Sequence, residues 1–136
     1  MGEHCAMMLL LALLAAGAEP PPACSDPQTQ SEINLCAAED ARQADAELNR
    51  QWAATAAAMK ALDEGGYAAQ DGRPGYHQAL LDAQRAWIRF RDLQCRVEGY
   101  AMRGGSAESM MISGCLASLT RDRTRQLRDL VTAYQP

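Results

Sequence analysis

The chain has 136 residues, of which 48% are apolar, enough for one domain around a single core. Aromatic residues make up only 5%, leaving Ala, Leu and Met to supply most of the apolar side chains, a mix that favours helix over strand. A formal net charge of −4 excludes the basic footprint that a nucleic-acid binder normally carries.

Residues 1–18 read as a signal peptide. The unbroken apolar run from Ala6 to Ala16 has the length of a signal-peptide core and is too short to span a bilayer. Ala16-Gly17-Ala18 supplies the small residues that precede a cut, which sets the expected mature start at Glu19. The opening Met1-Gly2-Glu3-His4 departs from the pattern, because it has no Lys or Arg. Cys24 follows Pro21-Pro22-Ala23, so it is not expected to carry a lipid. The expected product is periplasmic or secreted and has no stable membrane anchor. Its cysteines are Cys24, Cys36, Cys95 and Cys115, an even set that reads as two disulfides in an exported chain. With no C-x-x-C and only His77 left as an imidazole, no metal site is expected, and no cofactor motif is present.

Residues 19–28 form a proline-rich, extended lead-in, and residues 29–136 the helical domain. Thr29-Gln30-Ser31-Glu32 is a capping box that starts the first helix. Small and apolar residues at 37, 41, 44, 48, 52, 55, 59 and 62 then mark one helical face. Gly65-Gly66 ends it. Tyr67 to Gly75 is a loop with turn signals at Asp71-Gly72 and Arg73-Pro74-Gly75. The second helix runs from about Tyr76 to Met102, with Leu80, Gln84, Trp87, Arg91 and Cys95 on one side and Leu81, Ile88 and Leu93 flanking. Gly104-Gly105-Ser106 breaks it. The third runs from about Ser109 to Ala133, with Cys115 or Leu116, Leu119, Arg123, Leu127, Leu130 and Tyr134 in register.

The spacing predicts an all-α, antiparallel up-down-up bundle of three helices with two disulfides. Folding the helices about residues 69 and 105 sets Cys95 level with Cys115, Asp45 with Arg91 and Trp87 with Arg123. Cys95–Cys115 is then the expected bridge, with Cys24–Cys36 the other. The lead-in could instead reach the second or third helix, and a Cys36–Cys95 bond would overturn these levels. Asp45, Asn49, Gln84, Trp87, Arg91 and Arg123 are expected to form a polar network that fixes helix register, in preference to a catalytic or recognition cluster. If Asp45 and Arg91 are buried, losing either should cost a few kcal/mol. The basic run Arg121, Arg123, Arg125 and Arg128 reads as a solvated face, with anionic-polymer contact as the lesser alternative. No hydrolase, phosphate-loop or dinucleotide motif is present, and the chain is not expected to be an enzyme.

Several segments taken together resemble a known family. They are Cys24, the stretch from Thr29 to Cys36, Asp45 to Asn49, Ala83 to Asp92 with Cys95, Gly104-Gly105-Ser106, and Cys115 with Thr120, Arg123 and Leu127. The pattern resembles the N-terminal domain of the LprI-type lysozyme inhibitors, a bacterial family. The resemblance implies an exported envelope protein whose partner is a lysozyme or another peptidoglycan-cleaving enzyme, blocked by steric occlusion. An envelope adaptor with no enzyme target is the alternative. Asp71 and Arg73 in the first loop, and Arg103 and Glu108 in the second, are the expected partner-binding positions.

Overall fold

The computed structural model describes residues 24–66 and 70–135. The leader and residues 19–23 of the lead-in lie outside the described residues. Helix α1 (Gln30–Glu64) starts at the Thr29 capping box. The Thr29 hydroxyl accepts from the Glu32 backbone N–H at 3.2 Å, and the Glu32 carboxylate accepts from the N–H of Thr29 at 3.0 Å and of Gln28 at 2.7 Å. These N–H groups, Gln28 first, hold the Glu32 carboxyl below its ordinary range. At the other end Gly66 adopts a positive φ of 75°, which a side chain would resist.

Helix α2 (Tyr76–Gly99) begins at Gly75, which has no side chain to cap it. Asp63, in the last turn of α1, does so from across the loop. Its carboxylate accepts from the backbone N–H of Tyr76 at 2.8 Å and of His77 at 3.0 Å. This arrangement requires Gly75, because a Cβ there would lie 2.6 Å from the Asp63 Oδ1. Asp63→Ala should therefore destabilise the fold by about 1 kcal/mol, the usual size of a lost cap. Asp63→Asn, which keeps one acceptor, should lose less. Hydrogen exchange at the Tyr76 and His77 amides reads the effect directly, and unchanged protection would show that the cap is dispensable.

The α-helical part of α2 ends at Gly99, and Tyr100–Met102 continue as a 3-10 turn. At Gly99 the second helix comes close to the third, since a Cβ there would sit 2.4 Å from the Ile112 Cγ1. Gly104, at φ 76°, then reverses the chain. Helix α3 (Glu108–Ala133) follows, and the Glu108 carboxylate accepts from the Gly104 N–H at 2.8 Å to hold the turn closed.

The three helices form the expected all-α bundle. α1 and α3 run parallel, with Asn34 bonded to the Ser106 carbonyl, Asp40 paired with Arg121 and Glu47 paired with Arg128, while α2 runs antiparallel to both. Both disulfides join the expected partners: Cys24 with Cys36 at a Cα separation of 5.6 Å, and Cys95 with Cys115 at 5.3 Å.

The core is uneven along the rod. Leu48, Ala56, Met59, Leu80 and Leu127 cluster toward the first-loop end, with Trp52, Trp87 and Leu130 packed against them. Toward the second-loop end the buried residues are small: Ala44, Gly99 and Ala117, beside the Cys95–Cys115 bridge. Buried threonines complete the α1–α3 contact. The Thr55 hydroxyl donates to the Leu127 carbonyl at 3.1 Å, and that of Thr124 donates to the Thr120 carbonyl at 3.0 Å. Among the described residues no buried side-chain polar atom lacks a partner.

The face assigned to α1 is the one that packs, from Ala37 to Leu62. Two assignments on α2 differ. Leu93 and Ile88 are exposed rather than flanking the core. On α3 the buried set also includes Ala117, Thr120 and Thr124, because this helix packs against two neighbours and needs a wider face than one apolar stripe. Tyr134, placed in register with that stripe, is exposed, although its ring meets that of Tyr76 edge-on at 5.4 Å.

Candidate interaction surfaces

Midway along the rod, α2 sets Gln84, Trp87 and Arg91 one turn apart on the side facing α1 and α3. The Arg91 guanidinium lies 5.1 Å from the centre of the Trp87 ring and donates to Asp45 at 2.7 Å and to the Thr120 hydroxyl at 3.0 Å. It also donates to its neighbour Asp92 at 3.0 Å. Arg123 approaches the same ring at 5.9 Å, and its Nε donates to the Gln84 Oε1 at 2.9 Å. One indole thus meets two guanidiniums drawn from two helices. Burial pushes the Arg123 pKa down, and its hydrogen-bond partners are the amide oxygens of Gln84 and Gln126. Asn49 does not join the group. It lies exposed on α1.

The pairing is lopsided. The Arg91 side chain is 13% exposed and that of Asp45 51%, so the pair straddles the surface and does not fill the interior. A few kcal/mol for losing either partner is therefore too much. Asp45→Ala should cost under about 1 kcal/mol, because Asp92 still faces Arg91. Arg91→Ala should cost about 2 kcal/mol, since it loses the hydroxyl, the ring and the carboxylates together. A double-mutant cycle should still give a coupling of about 0.5 kcal/mol or more, and additivity would mean that the two groups do not interact in solution.

The arginine run on α3 is largely engaged. Arg121 donates to Asp40 at 2.9 Å, Arg128 reaches Glu47 at 3.5 Å, and Arg125 pairs with Asp122. These contacts leave little free positive charge for an anionic polymer. The Arg121 hydrogen bond holds the Asp40 carboxyl below its ordinary range. Such a carboxylate stabilises the fold above its ordinary pKa and loses that contribution as the pH falls through the lowered value. Both side chains are half-exposed, so the effect is small.

The two loops lie at opposite ends of α2, about 35 Å apart at 1.5 Å per residue, and cannot belong to one contact spot. At one end Asp71 and Arg73 pair with each other, and the guanidinium holds the carboxyl below its ordinary range. They border an open cavity of about 450 Å³ that Tyr76 and Tyr134 also line. At the other end the Arg103 guanidinium lies 4.6 Å from the Tyr100 ring centre, while Glu108 is occupied by the Gly104 N–H. Sequence reasoning missed a surface that begins there. Tyr100, Val97, Leu93 and Phe90 all stand exposed along α2. Their 3–4–3 spacing is visible in the sequence, but periodicity alone does not say which of two stripes faces the core.

Among the described residues no three His, Cys, Asp or Glu side chains gather as a metal site, and no helix is long and apolar enough to cross a membrane. Fold and surfaces together define a small, disulfide-stapled, all-α protein with exposed faces suited to contact. The chain belongs to the LprI family, whose model, described as "Lysozyme inhibitor LprI", matches residues 23–127. That span holds all four bridging cysteines and most of the three helices. An uncharacterised protein of Rhizobium meliloti (strain 1021) is 44% identical over 132 residues, covering 96% of this chain and 95% of that relative. No solved structure matches the chain.

Proposed function

We propose that this is an exported, non-enzymatic protein that inhibits a lysozyme or a related peptidoglycan-cleaving enzyme by occluding its cleft. The match to the inhibitor family over residues 23–127 carries this reading. Two disulfides support export, because such bonds persist in oxidising compartments outside the cytosol. The leader at residues 1–18 and a mature start at Glu19 belong to the same proposal. Without the leader, which holds Glu3 and no Lys or Arg, the net charge is 13 − 16 = −3, and such an acidic chain would be steered toward a basic enzyme.

Occlusion needs a projection. The bundle offers one at each end, the Asp71–Arg73 loop and the Arg103–Glu108 loop. Arg103 is the residue to test in the second loop, since Glu108 closes the turn and its loss would disturb the backbone. The oxidised protein should slow cell-wall lysis by at least one lysozyme of animal, phage or bacterial type at micromolar concentration. Inhibition should reverse on dilution and weaken with added salt. If well-folded, oxidised protein leaves all three types unaffected, the inhibitor reading is wrong and an envelope adaptor without an enzyme target replaces it.

A further inference from the structure

We propose that the outward face of α2, running from Phe90 to Tyr100 and on to the Arg103 turn, is the surface that enters the partner enzyme's cleft, where its arginines meet carboxylates. This inference rests on the inhibitor reading and deepens it by naming the contact face and the partner's chemistry.

α2 has two apolar sides, and the fold uses one. Leu80, Gln84 and Cys95 face the core. Residues 90, 93, 97 and 100 recur at spacings of three and four on the other side, with Phe90 55% and Val97 63% exposed. Half of the exposed large apolar side chains of the described residues fall on it. Such side chains scattered singly need no explanation, but a contiguous stripe on a small domain does. Tyr, Phe, Met and Arg are also the residue types enriched in interface cores.

Charge selects the occupant. Arg89 and Arg96, seven residues apart, lie on the same flank of the stripe. Both are exposed, and neither pairs with a carboxylate among the described residues. Arg103 adds a third cation at the tip, packed on Tyr100. The other flank is polar, with Gln94 and Glu98 bonded to each other at 3.0 Å. A second copy laid antiparallel would set the arginine flank against itself. A parallel copy in register would set Arg89 against the neutral amide of Gln94 and Arg96 against Ala101, so neither arginine would meet a carboxylate there. A partner that presents carboxylates answers the pattern. Enzymes that cleave glycosidic bonds generally hold a pair of carboxylates across the scissile bond, inside a groove shaped for a linear polymer. A straight helical ridge about 10 Å wide suits such a groove, and guanidiniums pair with carboxylates bidentately. The acidic charge of the whole chain and the basic ridge then act at different ranges, the first on approach and the second on contact.

The test uses the full oxidised chain and a lysozyme that the parent inhibits. Arg89→Glu with Arg96→Glu, and separately Phe90→Ser with Val97→Ser, should each raise the inhibition constant by about tenfold or more, the scale of an interface hot spot. Helicity and the melting midpoint should stay as in the parent. Arg50→Glu, on the exposed side of α1, is the control and should inhibit like the parent. Parent-like inhibition by both α2 variants would overturn the inference and leave the inhibitor reading standing. Failure of the parent against every lysozyme type would overturn both. Light scattering that shows a parent dimer and a variant monomer would assign the stripe to self-association, overturning the enzyme contact. So would parent binding to phosphatidylglycerol vesicles that the variants lose, which would assign it to a membrane surface.

Discussion

Replacing Leu127 by alanine should lower the unfolding free energy by about 2–5 kcal/mol, the range for truncating a large apolar side chain in a packed core. Leu127 is only 1% exposed and is the largest wholly buried side chain of the described residues. It projects from α3 into the cluster of Leu48, Ala56, Met59 and Leu80, so it ties all three helices at one level. Its own carbonyl accepts the Thr55 hydroxyl at 3.1 Å, which fixes the backbone and limits how far the site can collapse around a cavity. A small domain has roughly 5–15 kcal/mol in total, so the variant should lose a large fraction of its stability. Urea titration of the oxidised protein measures this as a lower midpoint at unchanged slope. A loss below about 1 kcal/mol would mean that the core is not centred on this residue.

Removing the Cys95–Cys115 bridge with paired alanines should cost about 3 kcal/mol by the loop-entropy relation for a closure of 20 residues. Local packing makes the bond matter where it sits. At this level the buried neighbours are Ala44, Gly99 and Ala117, which offer little apolar area to replace a covalent tie. The Cys24–Cys36 bond closes 12 residues and clasps an exposed lead-in to the start of α1, so its removal should cost less. Denaturant titration of each paired variant against the oxidised parent ranks the two. An equal or larger loss for Cys24–Cys36 would show that the lead-in supports the bundle more than its exposure suggests. Non-reducing mass analysis of the parent should show two disulfides and no free thiol.

Much of this architecture is legible because its signals are local. A capping box acts over three residues, and a glycine pair stops a helix where it stands. Thr29 and Gly65-Gly66 therefore fix the ends of α1 directly from the sequence. The level of Cys95 with Cys115 follows almost as simply, since the two helices are close in length and the turn between them is short. The cap that Asp63 places on α2 is different. It acts on Tyr76 and His77 at the far side of a loop, and only the closed hairpin reveals the match.

The sequence by itself determined the class of fold, both ends and the packed face of α1, and the level of Cys95 with Cys115, because each follows from a local signal, from periodicity or from chain length between fixed points. Tertiary structure alone decided how each helix is rotated. It turned Leu93 and Ile88 outward, buried Thr120 and Thr124, left Asn49 in solvent and kept Asp45 half-exposed beside Arg91. A helix with two apolar stripes can present either to the core at similar local energy. The choice on α2 falls to non-local contacts, with the Cys95 bridge and the close approach of Gly99 to Ile112 at one end and Leu80 in the core at the other.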